Sequence, residues 1–260
     1  MNRLLIIDGH NLLFQMFFGM PARIVNQEGR AIHGTLGFVG ALLKIIRRTD
    51  PTHLVVLFDG EHENNRVELD PQYKSNRTDY SQSPQEENPF SQLADIYAAL
   101  DFMQIRHTET TIFEADDVIA SYALTYGKQI NVVIASYDSD FFQLISDRVC
   151  VLRYRGDKTV LCDQSYIQNK FGITPDQYAD FKALTGDSAD HIRGADKIGP
   201  KTAAWLLYQY GTLDHILKNA GQITRPSIRD SVIRNADRLK INQTLIRLNK
   251  KAKIPIDLRD

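Results

Sequence analysis

The sequence is poor in the features that mark membrane proteins and disulfide-stabilised proteins. Its 260 residues include 2 cysteines, Cys150 and Cys162, and 1 tryptophan. The cysteines lack the spacing of a metal site or a disulfide framework, which fits a reduced chain. No apolar run approaches the roughly 18 residues of a membrane span, and the N-terminal run reaches Asp8 too soon for a signal peptide. We therefore expect a cytoplasmic chain that does not contact membranes.

The net charge of the chain does not by itself indicate binding to nucleic acid. The formal net charge is −1, and no internal repeat or long low-complexity tract is present. A hydrophobic content of 43% supports a sizeable core, in one large domain or two small ones.

Acidic residues follow three apolar runs that have the character of buried strands. The runs at 3–7, 54–58 and 130–135 are rich in Leu, Ile and Val, as in a parallel sheet covered on both faces. They are followed by Asp8, by Asp59, and by the pair Asp138 and Asp140. Because ligands bind beyond the carboxyl ends of such strands, we expect these acids to share one edge of the sheet.

Three further acids begin a predicted helix over 114–126. Glu114, Asp116 and Asp117 could simply favour the positive end of the helix dipole. Three acids so close together repel one another unless a cation neutralises them. Oxygen ligands suit Mg²⁺ or Mn²⁺, and two such ions about 4 Å apart are the standard arrangement for phosphodiester chemistry.

The remaining pattern predicts helices over 35–48 and 90–103, a short strand over 104–107, a hairpin over 149–161, and helices from 163 onward. Residues 61–90 are polar and proline-containing, and we interpret them as a mobile functional segment.

The segment 184–203 adds Asp187 and Asp190 and then Gly199-Pro200-Lys201 at a helix start. Backbone N–H groups at a helix start can bind a phosphate. Pro200 separates the glycine from the lysine, so the segment is not a P-loop. It fits a helix–hairpin–helix that contacts a nucleic-acid backbone.

Seven motifs in order resemble the bacterial 5′-nuclease family, which includes the 5′→3′ exonuclease domain of DNA polymerase I, phage 5′-nucleases and flap endonucleases. The resemblance runs from Leu4 to about Leu245. The motifs are Ile7-Asp8-Gly9, Phe58-Asp59, Tyr73-Lys74-Ser75-Asn76-Arg77, Glu114-Ala115-Asp116-Asp117, Asp138-Ser139-Asp140, Gly186-Asp187-Ser188-Ala189-Asp190 and Ile198-Gly199-Pro200-Lys201-Thr202-Ala203. No polymerase domain follows, so we expect a stand-alone 5′ nuclease of a bacterial cytoplasm.

The resemblance implies an α/β fold with a mostly parallel central sheet and helices on both faces, a PIN-like nuclease core. That core would span 1–162, with 61–90 as an arch segment. A helical region over 163–260 would carry a helix-three-turn-helix DNA-binding motif at about 184–208.

The resemblance also implies the site residues. The first divalent-cation site would be formed by Asp8, Asp59, Glu114, Asp116 and Asp117, and the second by Asp138, Asp140, Asp187 and Asp190. A K⁺ ion would be held by the backbone oxygens of Leu184, Thr185, Arg193, Ala195 and Ile198. Catalytic roles fall to Lys74, Arg77 and Asp117, and DNA contacts to Arg66, Tyr73, Lys74, Arg77, Gly194, Ile198, Gly199, Lys201 and Thr202.

Three departures from the family pattern stand out. Arg193 replaces a usual proline, Tyr137 and Ser139 replace a glycine and a lysine around Asp138, and the arch segment is short and acidic. Setting aside the nine candidate metal ligands leaves 23 acids against 31 Lys and Arg, so a basic body surrounds an acidic pocket.

We therefore predict a structure-specific 5′ nuclease that hydrolyses DNA with two cations, Lys74 and Arg77 contacting the scissile phosphate. Tyr73 either stacks on a terminal base or packs inside. The expected partners are DNA with a 5′ flap or 5′ end and a DNA polymerase, and we expect a monomer. A PIN-type ribonuclease and a non-catalytic DNA-junction binder are the alternatives. We interpret His10, Phe14, Phe17 and Phe18 as a helix face.

Overall fold

The computed structural model describes residues 2–60 and 65–258. Its centre is a six-stranded sheet with the order β3-β2-β1-β4-β5-β6, in which β6 alone is antiparallel to its neighbour. A two-stranded ribbon pairs β7 with β8. The strands are β1 (Arg3–Asp8), β2 (His53–Asp59), β3 (His107–Thr110), β4 (Asn131–Ala135), β5 (Val149–Arg153), β6 (Val160–Cys162), β7 (Gly186–Asp187) and β8 (Ile192–Arg193).

Helices cover both faces of the sheet and make up most of the C-terminal region. They are α1 (Gly9–Gly19), α2 (His33–Thr49), α3 (Asn65–Leu69), α4 (Leu93–Phe102), α5 (Ala115–Tyr126), α6 (Gln164–Phe171), α7 (Tyr178–Thr185), α8 (Pro200–Tyr210), α9 (Leu213–Lys218), α10 (Pro226–Arg234) and α11 (Ala236–Ile246).

Strand β1 shows why the sheet is buried on both sides. Successive side chains of a strand point to opposite faces. Leu4 and Ile6 pack in the core that α5 and the C-terminal helices complete, whereas Leu5 and Ile7 pack in the core of α1, α2 and α4. The mostly parallel sheet with helices on both faces is therefore confirmed.

The parallel register brings the predicted acids to one edge. Asp8 lies opposite Leu57 of β2, and Ile7 lies opposite Ala135 of β4. The glycines that follow the strand-end aspartates have a packing reason. A Cβ at Gly9 would lie 2.5 Å from the Phe58 ring, and one at Gly60 would lie 2.3 Å from the Thr110 carbonyl oxygen.

The strand predicted over 104–107 is wrong in position, since β3 begins at His107. Helix α4 ends in a turn in which Gln104 has a φ of 55° and the Ile105 N–H donates to the Leu100 carbonyl. The apolar residues near 105 therefore close a helix, and the strand itself is the polar edge sequence His-Thr-Glu-Thr.

The arch segment predicted over 61–90 contains α3 followed by a series of turns, and its residues 61–64 lie outside the described residues. The C-terminal region begins as predicted with helices after the hairpin of β5 and β6. Within the described part of the chain, no helix is both long enough and apolar enough to span a membrane.

Candidate active site

A groove of about 790 Å³ opens at the carboxyl edge of the sheet. Four predicted metal ligands line it together with two cations of the arch segment and an aromatic wall. The carboxylates are those of Asp8, Asp59, Asp116 and Asp138, the cations are Lys74 and Arg77, and the wall includes Phe14, Tyr80 and Phe90. The structure thus brings residues from β1, β2, α5 and the end of β4 to one cavity.

Asp8 is held where strand β1 becomes helix α1. Its Oδ1 accepts the Asn11 N–H at 3.1 Å, which caps the helix, and its Oδ2 accepts the Ser136 hydroxyl at 2.7 Å. Burial raises the pKa of Asp8, and the charges of Asp138 and Asp59 add to the rise. These two hydrogen bonds lower the pKa, and the result is a value of about 7. The carboxylate is therefore fixed by neutral donors that leave its negative charge uncompensated.

Asp116 shares this electrostatic problem, and Asp138 lies beside it. Burial raises the pKa of Asp116 well above its ordinary value, and the charges of Asp138 and Asp8 raise it further. Among the described residues, no lysine or arginine forms an ion pair with Asp8, Asp116 or Asp138. We call these three residues the groove cluster.

Asp140, Asp187 and Asp190 form a second group, which we call the closed cluster. One carboxylate oxygen from each residue lies within 4.8 Å of the other two, and among the described residues this is the one group of three with such spacing. Burial raises the pKa of Asp140 to about 7, although the charge of Lys182 opposes the rise. Asp138, predicted for this second site, lines the groove, and it also touches the closed cluster, since its Oδ1 accepts the Asp140 N–H at 2.8 Å.

Two cations occupy the closed cluster. The Lys182 ammonium contacts both Asp140 and Asp187, and Arg77 Nη2 lies 3.3 Å from Asp190 Oδ1. Lys182 is buried, at 6% exposure. Sequence reasoning missed it, because a single lysine in a helix is usually exposed, whereas seven of the eight residues of α7 are buried.

Glu114 and Asp117 lie behind the groove rather than in it. Arg66 contacts both carboxylates, and Lys74 Nζ lies 3.1 Å from Glu114 Oε2. Asp117 Oδ1 also accepts the Asn249 N–H at 2.8 Å. Arg66, predicted to contact DNA, is therefore engaged with the acids at the start of α5.

Asp59 and His10 support each other at the groove wall. Asp59 Oδ1 accepts the Ala115 N–H at 2.9 Å, which orients the start of α5, and the Asp59 N–H donates to His10 Nδ1 at 3.3 Å. Burial lowers the pKa of His10 despite the charge of Asp59, so the ring is neutral and can accept this bond. His10 lies on α1 as the sequence predicts, but it lines the groove, which the sequence pattern does not reveal.

The base of the arch segment is joined to the loop 186–191. Lys74 has a φ of 58°, and its N–H donates to the Asp190 carbonyl at 3.0 Å. Ser75 Oγ lies 2.7 Å from His191 Nδ1, and the Asn76 amide donates to the Ser188 carbonyl at 3.1 Å. These contacts place Lys74 and Arg77 at the groove.

Tyr73 belongs to the hydrophobic core, with 5% of its surface exposed. Its ring therefore packs inside, which supports the packing role among the two that the sequence left open. Phe14 rather than Tyr73 supplies an aromatic face at the groove, where it contacts Tyr80 and Phe90.

The predicted DNA-contacting segment forms the start of α8. Gly199 is the N-cap residue, Thr202 donates its N–H to the Gly199 carbonyl at 3.0 Å, and Lys201 is exposed. Gly194 lies against the preceding helix, since a Cβ there would be 2.3 Å from the Thr185 carbonyl carbon, and Ile198 is buried.

The predicted K⁺ ligands lie at the end of α7 and in the segment before α8, and three of the five carbonyls already accept hydrogen bonds. The Leu184 carbonyl accepts the Ala195 N–H at 3.0 Å, the Ala195 carbonyl accepts the Ile198 N–H at 3.2 Å, and the Arg193 carbonyl accepts the Asn242 amide at 2.9 Å. Each carbonyl oxygen has a second lone pair. Thr185 ends α7 beside them.

The two clusters suit hard divalent cations. Their donors are carboxylate oxygens alone, which Mg²⁺ and Mn²⁺ prefer. The 4.8 Å spacing of the closed cluster and the uncompensated charge of the groove cluster both indicate cation binding. The residues present therefore fit such a group.

Comparison with known families matches the whole chain. Residues 3–172 match the model of the 5'-3' exonuclease N-terminal resolvase-like domain, and residues 173–260 match that of the 5'-3' exonuclease C-terminal SAM fold. The chain is 34% identical to the thermostable DNA polymerase I of Thermus aquaticus over 256 residues, which cover 98% of this chain and 29% of that protein. It is 35% identical to DNA polymerase I of Deinococcus radiodurans over 245 residues, which cover 93% of this chain and 25% of that protein.

Solved structures show the same fold. The T5 D15 protein co-crystallised with metal ions superposes with a TM-score of 0.77 at 22% identity, covering 95% of this chain and 90% of that one. The catalytic core of Rad2 in complex with DNA substrate superposes with a TM-score of 0.65 at 14% identity, covering 97% of this chain and 81% of that one. From the family match and the relatives above 30% identity, the chain belongs to the 5'-3' exonuclease family.

Proposed function

We propose that this chain is a structure-specific 5′ nuclease, a flap endonuclease, a 5′→3′ exonuclease or both, that hydrolyses DNA phosphodiesters during replication and repair. The observation that carries the proposal is the pair of carboxylate clusters beside Lys74 and Arg77, in a member of the 5'-3' exonuclease family. The chain spans less than a third of the length of the DNA polymerase I relatives. Their activity is therefore carried over here as part of the proposal.

The groove cluster with Asp59 would hold one divalent cation, and the closed cluster would hold the other. Mg²⁺ or Mn²⁺ bound in this way lowers the pKa of a water molecule and stabilises charge on a leaving oxygen. Glu114 and Asp117, which face Arg66 and Lys74, would act on the first cation through water and by holding the start of α5 in place.

Lys74 and Arg77 would bind the scissile phosphate. Both line the groove, and both also contact acids, Glu114 and Asp190 respectively. Their positive charge would stabilise negative charge that develops on the phosphoryl oxygens in the transition state. Glu114 and Asp190 would thus orient the side chains of Lys74 and Arg77 toward a phosphate bound between the two clusters.

The start of α8 would contact the duplex part of the substrate. Gly194, Ile198, Gly199, Lys201 and Thr202 would offer backbone N–H groups and one ammonium to phosphates, as in a helix-three-turn-helix. A K⁺ ion on the carbonyls of Leu184, Thr185, Arg193, Ala195 and Ile198 belongs to the same proposal. Contacts to phosphates give no sequence preference, which suits an enzyme that recognises DNA structure.

The sequence also suggested where and with which partner the protein would act. The protein would act as a monomer in a bacterial cytoplasm beside a DNA polymerase, whose displaced 5′ strands it would remove. The DNA polymerase I relatives carry the matching region within a longer chain, which supports this pairing.

A cleavage assay with a 5′-labelled flap on DNA tests the proposal. With Mg²⁺ or Mn²⁺ we expect cleavage near the junction of single and double strand, and none with EDTA. A blunt duplex distinguishes exonuclease from flap-endonuclease preference. An RNA flap cut faster than the DNA flap would favour a PIN-type ribonuclease. Metal-independent binding of the flap DNA, with no cleavage in either Mg²⁺ or Mn²⁺, would overturn the nuclease assignment.

A further inference from the structure

Lys182 places a positive charge inside the closed cluster. Its ammonium contacts Asp140 and Asp187 and lies 3.5 Å from Ser139 Oγ, and its side chain is 8% exposed. Burying an ammonium costs several kcal/mol unless paired anions compensate. The two carboxylates supply that compensation, so Lys182 and the closed cluster stabilise each other.

The ammonium occupies the position that a divalent cation needs. A cation bound to the closed cluster would coordinate the oxygens of Asp140 and Asp187 at about 2.0–2.6 Å, and the same residues already hold Lys182. An ammonium and a divalent cation on the same two carboxylates would lie only a few ångströms apart. In a buried site their repulsion is strong, so the two cannot share the cluster unchanged.

The groove cluster is different. Among the described residues no lysine or arginine pairs with Asp8, Asp116 or Asp138, so a cation there displaces no side chain. The two sites should therefore bind divalent cations with different affinities. The difference would come from the cationic side chains of the closed cluster, Arg77 on Asp190 and above all Lys182, which contacts two of the three acids, and not from the number of carboxylates.

We propose, resting on the proposed two-cation function, that Lys182 is a resident counter-cation that competes with the divalent cation for the closed cluster. The groove cluster then fills first, and the closed cluster fills only when the Lys182 ammonium moves off Asp140 and Asp187. Lys182 thereby sets the metal concentration at which the site is complete.

Calorimetric titration of the DNA-free protein with Mn²⁺ tests the proposal without any assay of turnover. We expect the wild type to show one tighter and one weaker site. Lys182→Met removes the charge while filling similar volume, and it should tighten the weaker site by about tenfold or more, since a buried competing charge is gone. Lys44→Met, on the exposed face of α2, is the matched control and should titrate as the wild type does.

Thermal unfolding gives a second readout. Without metal, Lys182→Met should melt below the wild type, because Asp140 and Asp187 lose their compensating charge. Saturating Mn²⁺ should raise its melting temperature by more than it raises that of the wild type. Lys182→Gln, which is neutral but keeps hydrogen-bond donors to both acids, should also gain affinity at the weaker site even if Lys182→Met folds poorly.

Equal or weaker affinity at the second site in both neutral variants would overturn the competition. So would a wild type whose two sites bind equally tightly. Flap cleavage by the wild type at saturating Mg²⁺ distinguishes a wrong role for Lys182 from a wrong proposed function. Cleavage with unchanged affinities rejects only the role of Lys182, whereas absence of both cleavage and Mn²⁺ binding rejects the two-cation function as well.

Discussion

The groove cluster and the closed cluster solve the same electrostatic problem in different ways. Asp8 of the groove cluster is held by neutral donors, the Asn11 N–H and the Ser136 hydroxyl. In the closed cluster, cationic side chains neutralise the carboxylates, Lys182 for Asp140 and Asp187, and Arg77 for Asp190. The first arrangement leaves the negative charge of the carboxylates available to a metal ion. In the second, lysine and arginine side chains of the protein neutralise that charge.

Their origins explain the difference. Asp8 and Asp138 follow adjacent parallel strands, so the backbone of one rigid sheet fixes their separation. Asp140 follows strand β4, whereas Asp187 lies in β7 and Asp190 in the turn between β7 and β8. The acids brought together by packing between two regions are thus held by cationic side chains, whereas two of the three groove acids are placed by the sheet itself.

Asp116→Asn should have the largest effect on the groove cluster. The change removes one of three carboxylates that form no ion pair with a lysine or arginine among the described residues, so we expect flap cleavage in Mg²⁺ to fall by about 10³-fold or more. Cleavage rates under single-turnover conditions measure it. The exposed Asp157→Asn is the matched control and should cleave normally. A loss below tenfold would remove Asp116 from the proposed metal site.

Asp117→Ala should cost stability as well as cleavage, because Asp117 lies outside both clusters but holds the start of α5 beside the groove. Arg66 and the Asn249 N–H would lose a buried partner, so we expect the free energy of unfolding to fall by about 2–4 kcal/mol. Denaturant unfolding measures the change. Asp117→Asn keeps an acceptor for the Asn249 N–H and should lose less. Equal losses in the two variants would mean that this hydrogen bond contributes little.

Asp8→Asn should stabilise the metal-free protein at high pH. The folded-state pKa of Asp8 is raised from 3.8 to about 7, so the stability linked to this group is present below pH 3.8 and is lost as pH rises through about 7. Asparagine cannot ionise and should cap α1 as well. In EDTA we expect the variant to gain about 1–3 kcal/mol over the wild type at pH 8 and little at pH 4.

Denaturant unfolding at both pH values measures the Asp8→Asn effect. Added Mg²⁺ should stabilise the wild type more than the variant, since the variant has one ligand fewer. A variant whose advantage does not grow between pH 4 and pH 8 would show that Asp8 carries no uncompensated charge.

Ser75→Ala should have the smallest effect. The hydroxyl contacts His191 at an exposed position next to the closed cluster, so we expect a loss within about 0.5 kcal/mol and an unchanged cleavage rate. Chemical unfolding and the flap assay measure both quantities. A large drop in cleavage would show that neutral contacts of the arch base, and not the Arg77–Asp190 pair, position Lys74 and Arg77.

The sequence reveals the sheet-edge acids because each follows an apolar strand. Asp8, Asp59 and Asp138 are predicted to share an edge, and they line one groove. Parallel strand register makes this inference sound, since strand ends coincide without knowledge of side-chain packing. The family motifs add Asp116, whose location at a helix start fits the same edge.

The roles of Lys182, Arg66 and Tyr73 could not be predicted in the same way. Each depends on packing between elements distant in sequence, such as Arg66 of α3 against the start of α5. The sequence pattern around each of them is typical of surface residues: Lys182 is a lysine in a helix, and Arg66 and Tyr73 belong to the polar segment 61–90. The polar strand β3 was misplaced for a related reason, because an edge strand needs no apolar sequence.

The tail after α11 has a consequence for how the protein is made. The Asn249 N–H reaches Asp117 across 132 residues of sequence, and Tyr122 bonds to Ile256 across 134. Ribosomes release a chain from its N-terminus at about 5–20 residues per second, so helix α5 emerges well before these partners. The tail contacts of the acidic helix are therefore completed late: a nascent chain that has reached residue 200 already carries Arg66, which contacts Asp117, but it still lacks the Asn249 N–H.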